Sequence, residues 1–410
     1  MESPPSNLRI LPESESKLEP QATKEDSLKE EAPNVKLSAP HCFFIPPLVF
    51  EALVQDDTND DTAKRAGSQM LAVANEVNNT EIDEFVIEFP PIDKEKEKAP
   101  YRRIYDMQFC KNDEAYPGVL MRSEGEDALN IPGDDAVDKC YENIGTVYTF
   151  FKEVFNNAEI LGPNVPLIGI VHYDFYFPNA RWYRPVEQKY GALIFGDGWD
   201  NDAFNQGAAV HSYGGCFGNF VGSLEVVAHE LTHGLVQRVK GLKYFGESGA
   251  LHEHMGDVFG SMCEQWKKGQ STEKADWIIG EDLVAKDWPG VSLRSMKSPG
   301  DAYDKQVGIG NDDQVCHWEK RYLGDMDNGG VHLNSGIPNK AFYLIAKAFG
   351  GNSWEKAGQI WYKALHDPKV GPECDLATWA RVTTSYSRKL FKEEGRVIAA
   401  TAWKEVGIEV

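Results

Sequence analysis

The pentapeptide His229-Glu230-Leu231-Thr232-His233 constrains this chain more than any other feature. It sits in an apolar stretch whose spacing predicts a helix over 223–239, with Ser223 as its N-cap. Positions four apart on a helix share a face, so the two imidazoles can meet one Zn²⁺. Glu230, between them, projects beside the metal, where it can take a proton from water. Two surface histidines on an ordinary helix would give the same letters. A metal site of this kind therefore needs a third protein ligand and an open position for water.

A second helical pattern, 251–266, supplies the candidate. Glu253 and Asp257 stand four apart on it. Glu253 can reach the metal, and Asp257 can accept a hydrogen bond from a ligand imidazole and so fix its tautomer. His252 and His254 point roughly 100° away from Glu253 on either side and are set aside as ligands.

The rest of the chain bounds what such a site can serve. Of the formal net charge of −22, half (−11) lies in the first hundred residues. That excess argues against nucleic acid or an anionic membrane surface as a partner. No run of about 18 apolar residues occurs, and the polar, acidic start lacks the apolar core of a secretory signal. Seven scattered cysteines without a CxxC pair fit a reducing compartment. The expected location is therefore cytoplasmic, or exported without a conventional signal peptide.

Residues 1–39 are rich in Ser, Pro, Glu and Lys and are expected to be a disordered acidic tail. An apolar patch, residues 40–50, follows and must dock on something, and a short helical pattern covers 63–77. The charged stretch ending at Pro100 looks like an exposed, cuttable linker. Beyond it, one helical pattern (146–155) and strand patterns at 167–173 and 192–198 mark a β-rich half. Helical patterns at 335–349, 353–366, 375–390 and 395–406 mark an α-rich half.

Taken together, His229, Glu230, His233, Glu253 and Asp257 resemble the motifs of the thermolysin-like metallopeptidases, and the likeness spans about residues 101–410. The resemblance implies further roles. His332, in Asp327-Asn328-Gly329-Gly330-Val331-His332, matches the histidine that stabilises the oxyanion, Asp327 the acid that orients it, and Tyr244 the tyrosine that assists it. Arg294 matches the arginine that holds a substrate carbonyl. Val171-His172-Tyr173 followed by Asn179-Ala180 is similar to the edge strand that aligns the peptide. Val226, Ile279 and Leu293 match an apolar pocket, which implies cleavage on the amino side of large hydrophobic residues. Glu225, Glu264, Asp276 and Glu281 match calcium-ligand positions. Ile278 stands where thermolysin has another carboxylate, so the resemblance implies one Ca²⁺ rather than two.

The segment holding Cys42, Pro46, Pro47 and Leu48 resembles the short propeptide of the protealysin-like branch, here preceded by about forty extra residues. It implies an intramolecular inhibitor over 41–95, cut near 94–101. Cys42 either places a thiolate on the zinc or packs beside Phe43 and Phe44.

The expectation is an α+β, two-lobed zinc endopeptidase precursor, monomeric, with its cleft between the lobes. Its parts are a tail (1–39), a propeptide (40–98), a β-rich lobe including the zinc-binding helix (99–240) and an α-helical lobe (241–410). Two other readings use the same residues: a catalytically silent zinc-binding interaction protein, and an aminopeptidase. The intact set of His229, Glu230, His233, Glu253, Tyr244 and His332 argues against the first. No Gly-x-Met-Glu-Asn exosite is present for the second.

Overall fold

Leu167–Val171 (β3) is apolar at every position except a central glycine, and all five residues are shielded from water. That is the pattern of a strand covered on both faces. In the computed structural model, β3 runs parallel to β1 (Arg102–Asp106) and β5 (Ala192–Phe195) at the centre of a five-stranded sheet. Strand β2 (Val119–Ser123) lies antiparallel on β1, and β4 (Ala180–Tyr183) lies antiparallel on β5, giving the order β2-β1-β3-β5-β4. The structure describes residues 43–55, 64, 67–68, 70–71, 89–90, 99–110, 116–174, 177–184, 188–198, 217–218, 220–284, 290–303 and 311–410. All of these belong to one compact unit, Leu37–Val410. Cys42, the tail 1–39 and the linker 91–98 lie outside the described residues.

Helix α1 (Pro47–Gln55) precedes the sheet, and α2 (Ala136–Phe155) packs on β1 and β3. The α2 helix buries Val137, Cys140, Tyr141, Ile144, Val147, Phe150, Phe151 and Phe155, one apolar stripe of helical period. It starts ten residues before the predicted 146. Gly169 in β3 permits the close approach, since a Cβ there would lie 2.3 Å from the Cys140 sulfur.

The strand facing the cleft differs from the expected one. Val171 ends the central strand β3, and the edge is β4 alone, beginning at Ala180. Of the helical pattern at 63–77, positions 64, 67, 68, 70 and 71 are helical, and the remainder lies outside the described residues.

Two long helices follow, α3 (Leu224–Val239) and α4 (Gly246–Lys268), packed against each other along their lengths. Ser223 caps α3, its side chain accepting from the Val226 N–H. Beyond α4 come the two-residue strands β6 (Ile278–Ile279) and β7 (Arg294–Ser295), then α5 (Met326–Asn334), α6 (Gly336–Phe349), α7 (Ala357–Leu365) and α8 (Leu376–Glu405). The two predicted helices at 375–390 and 395–406 meet in α8, which breaks at Phe391 and Lys392. One apolar core runs through both halves, with Trp361 stacked nearly parallel on Trp403. The fold is α+β, as expected.

Candidate active site

A surface helix buries one stripe, but α3 is buried from Glu225 through Val236 without interruption. Its charged and polar residues therefore sit inside the protein, where each needs a compensating partner. Gly256 of α4 faces the His229 ring, and a Cβ there would lie 2.6 Å from it. A glycine at 256 thus sets how closely α4 approaches α3.

The contact brings three donors together. His229 Nε2 and His233 Nε2 face each other at 2.9 Å. The Glu253 oxygens lie 3.5 Å from the first and 3.6 Å from the second. This is the only group of three or more His, Cys, Asp or Glu donors so gathered among the described residues. Two imidazoles and a carboxylate aimed at one point fit the donor set of a catalytic Zn²⁺, which keeps a fourth position open. Glu230 is fully buried beside them. Burial first, then the Glu253 charge, pushes its pKa up to about 8, against a downward pull from His229 and the Trp182 main chain. A divalent cation beside it would lower that value.

A second layer holds the ligand rings. His229 Nδ1 lies 3.1 Å from Asp257 Oδ1. Asp257 also accepts Arg294 Nη2 at 2.8 Å, Arg294 Nε at 3.2 Å and Asn339 Nδ2 at 2.9 Å. Burial alone would raise the Asp257 pKa, but Arg294 and His229 outweigh it and hold the carboxyl well below its usual range. The chain of donors continues into the core. Trp361 Nε1 donates to His254 Nε2 at 2.7 Å, and His254 Nδ1 lies 2.7 Å from Asn339 Oδ1. Indole is a donor only, so His254 must carry its proton on Nδ1, and the Asn339 amide must then turn its NH₂ to Asp257. His254, set aside as a ligand, is thus the link between the metal layer and the tryptophan core.

His252 has a comparable place that its sequence position does not disclose. Its Nδ1 lies 2.6 Å from His233 Nδ1. If His233 ligates through Nε2, its Nδ1 carries the proton and His252 accepts it. Burial lowers the His252 pKa to about 4, which keeps that ring neutral and able to accept.

On the cleft side, Asp327, Asn328, Gly329 and Gly330 are all left-handed, with φ of 52°, 51°, 80° and 78°. Asp, Asn and Gly are the residues that tolerate this conformation. The turn places Asp327 so that Oδ2 accepts the His332 N–H at 2.7 Å and Oδ1 lies 2.6 Å from His332 Nδ1. Burial would lower the His332 pKa, but the Asp327 and Glu253 charges push it up to about 9. The His332 Nε2 faces the cleft. Tyr244 Oη donates to Glu253 and lies 3.5 Å from His332 Nε2.

The cleft is filled by the chain's own Phe43, Phe44 and Ile45. His332 Nε2 lies 2.9 Å from the Phe43 carbonyl oxygen. Phe44 N–H donates to the Ala180 carbonyl at 3.1 Å, and the Phe44 carbonyl accepts Arg294 Nη1 at 2.9 Å. Asn179 takes both sides of Ile45, accepting its N–H at 2.9 Å and donating to its carbonyl at 3.1 Å. The Phe44 ring is fully buried, edge-on to His229 at 5.0 Å and under the Arg294 guanidinium at 4.6 Å.

Profiles of two adjoining domains cover this architecture: "Thermolysin metallopeptidase, catalytic domain" matches residues 88–237, and "Thermolysin metallopeptidase, alpha-helical domain" matches 240–408. The extracellular metalloprotease of Pectobacterium carotovorum subsp. carotovorum is 39% identical over 377 residues, covering 91% of this chain and 98% of that protein. The chain belongs to the thermolysin metallopeptidase family. Protease PrtS of a Photorhabdus species is 38% identical, covering 89% of this chain and 92% of its own length. The solved precursor of protealysin, a metalloproteinase from Serratia proteamaculans, superposes with a TM-score of 0.72 at 34% identity. It covers 90% of this chain and 99% of that one. This member of the thermolysin family is therefore a zinc metalloendopeptidase of the protealysin-like branch, related to a precursor form.

Val226, Ile279 and Leu293 are buried, Ile279 pairs with Arg294 between β6 and β7, and Leu293 lines a hollow beside Pro46 and Leu48. Pro47 opens α1. Of the four calcium candidates, Glu225 is buried and accepts the Gly280 N–H at 2.9 Å, while Glu264 pairs with Lys268 at 2.9 Å. Asp276 and Glu281 are exposed, and no three of these carboxylates are gathered as the zinc ligands are. The signal that would have pointed to Phe43–Ile45 is weak: an apolar triplet before Pro46-Pro47.

Proposed function

We propose that the chain is the precursor of an endopeptidase that cuts on the amino side of large hydrophobic residues. The observation that carries this reading is the seating of Phe43–Ile45. The segment is held through its main chain, with one carbonyl on His332 and the next side chain buried against His229. A peptide substrate bound in the same way would present its scissile carbonyl to His332 and its next side chain to the pocket that holds Phe44.

His229, His233 and Glu253 would hold the metal. Zn²⁺ bound there supplies the Lewis acidity that makes a water lose its proton near neutral pH. Glu230 takes that proton and delivers it to the leaving nitrogen. His332, with Asp327 fixing its ring, donates to the oxygen as negative charge gathers on it, and Tyr244 stands beside it as a second donor. Arg294, Asn179 and Ala180 orient the main chain on the leaving side. Asp257 acts on His229 and Arg294 rather than on substrate.

Residues 40–98 serve as the propeptide and keep the chain latent by occupying the cleft. The lobes are 99–240 and 241–410, and the enzyme is a monomer. The named Pectobacterium relative is extracellular, and export of this chain is part of the proposal. No described helix is long and apolar enough to cross a membrane. A single Ca²⁺ beside Glu225 and Glu264 completes it. Burial raises both pKa values, helped by the Glu264 charge at Glu225 and by Asp282 and Asp276 at Glu264, and this crowding of buried acid supports a cation there.

The test is hydrolysis of an end-blocked peptide by zinc-loaded protein from which the front segment has been processed. Glu230→Ala is expected to abolish turnover while retaining zinc and fold. Activity surviving in that variant refutes the assigned base. Activity only on free amino termini would favour the aminopeptidase reading.

A further inference from the structure

We infer that the Phe43–Phe44 peptide bond is itself a substrate, cut in cis by the site it occupies. The inference rests on the endopeptidase reading above and extends it to the chain's own front segment. A strand that only blocks a cleft can do so in reverse direction, out of register or with a gap at the reacting bond. None of these holds here.

Five successive main-chain groups flank this bond, and each has a partner from the cleft. The Phe43 carbonyl faces His332 Nε2 at 2.9 Å, and the Phe44 N–H meets Ala180 at 3.1 Å. The Phe44 carbonyl meets Arg294 at 2.9 Å, and both polar groups of Ile45 meet Asn179 at 2.9 and 3.1 Å. Asn179 is itself braced, since its side chain also accepts the Ala180 N–H and its carbonyl accepts the Gly196 N–H. The carbonyl facing His332 is the one whose oxygen would gain negative charge, and the residue after it carries the buried aromatic ring. Register, direction and side chain all select the same bond. Contact this well ordered converts an intermolecular reaction into an intramolecular one.

The downstream side is anchored. Pro46 and Pro47 lead into α1, whose Val49, Phe50 and Leu53 are buried in the core. Hydrolysis adds water across the bond. The carbonyl carbon of Phe43 gains the hydroxyl and becomes a carboxylic acid, the nitrogen of Phe44 gains the proton and becomes an amine, and the C–N bond breaks. No redox partner is needed. The first 43 residues are then covalently separate, while Phe44 onward stays docked through α1.

The test uses the full chain, purified without metal and then given Zn²⁺, followed by intact-mass analysis. The expected products are residues 1–43 and a chain beginning at Phe44, formed at a rate unchanged by tenfold dilution. Glu230→Ala forms neither. Phe44→Ala, which empties the pocket, slows this cut by about a hundredfold and raises hydrolysis of an added end-blocked peptide. If the chain or its Phe44→Ala variant cuts the added peptide while Phe43–Phe44 stays intact, this inference is overturned and the endopeptidase reading stands. If neither bond is cut by any version, both fall. A rate that scales with protein concentration refutes cleavage in cis.

Discussion

Replacing Asp257 with asparagine separates the two jobs of the most connected carboxylate in the site. In the structure this carboxylate serves His229 Nδ1 at 3.1 Å, Arg294 at 2.8 and 3.2 Å, and Asn339 Nδ2 at 2.9 Å, all inside the protein. An asparagine keeps the shape but has one acceptor oxygen and a donor NH₂. That NH₂ must face another donor, whether imidazole, guanidinium or amide. The Asn339 amide cannot turn to help, because His254 and Trp361 fix its orientation. Arg294 is left buried without its counter-charge, and breaking a buried pair in this way costs about 3–5 kcal/mol. Separately, a zinc-ligating histidine that loses its outer carboxylate binds metal about 10–100-fold more weakly. Chelator competition measures the second effect, and denaturant unfolding of the metal-free protein measures the first. Zinc affinity and metal-free stability both unchanged would refute the idea that Asp257 is a shared anchor.

Other perturbations have equally direct readouts. His252→Asn keeps an acceptor for His233 Nδ1 and should retain most zinc affinity, whereas His252→Leu should lower it by about 10–100-fold; equal affinities would remove His252 from the second layer. His172 lies 2.8 Å from Asp197 and 3.3 Å from Asp134. Burial lowers its pKa, but these carboxylates raise it to about 9. Its contribution to stability is therefore full below the ordinary value near 6.5 and lost as pH rises through about 9. The gap in Tm between wild type and His172→Gln should shrink between pH 7 and pH 10, and a gap that widens contradicts the assignment. Added Ca²⁺ should raise Tm by a few degrees over chelator-treated protein. No shift would remove calcium from the proposal and leave Lys268 as the cation that balances Glu264.

The candidate metal ligands are legible in the sequence because helix geometry converts spacing directly into position: 229 and 233 share a face, as do 253 and 257. His254 and His252 show the limit of that logic. Angle on one's own helix says which residues miss the metal, but the partner of each missed side chain comes from another element, Asn339 for one and His233 for the other. The left-handed run at 327–330 is foreshadowed by Asp, Asn and paired Gly, yet its purpose appears only when Asp327 grips His332 from two sides. Least legible is the blocking strand. Four of its five main-chain contacts are made by polar side chains, but what they grip is backbone, which every residue possesses. Cys42 and the prolines, the more legible letters, stand on either side of the residues that make the contact.

That same grip has a consequence for which proteins can be cut. Asn179, Ala180, Arg294 and His332 ask for free N–H and C=O groups on three consecutive residues. In a folded target those groups are already committed to helices or sheets. Vulnerability is then decided less by the letters around a bond than by how often the target's backbone comes loose there. Such an enzyme surveys the local stability of its neighbours, cutting at frayed ends and opened loops and passing over the same residues in well-made structure.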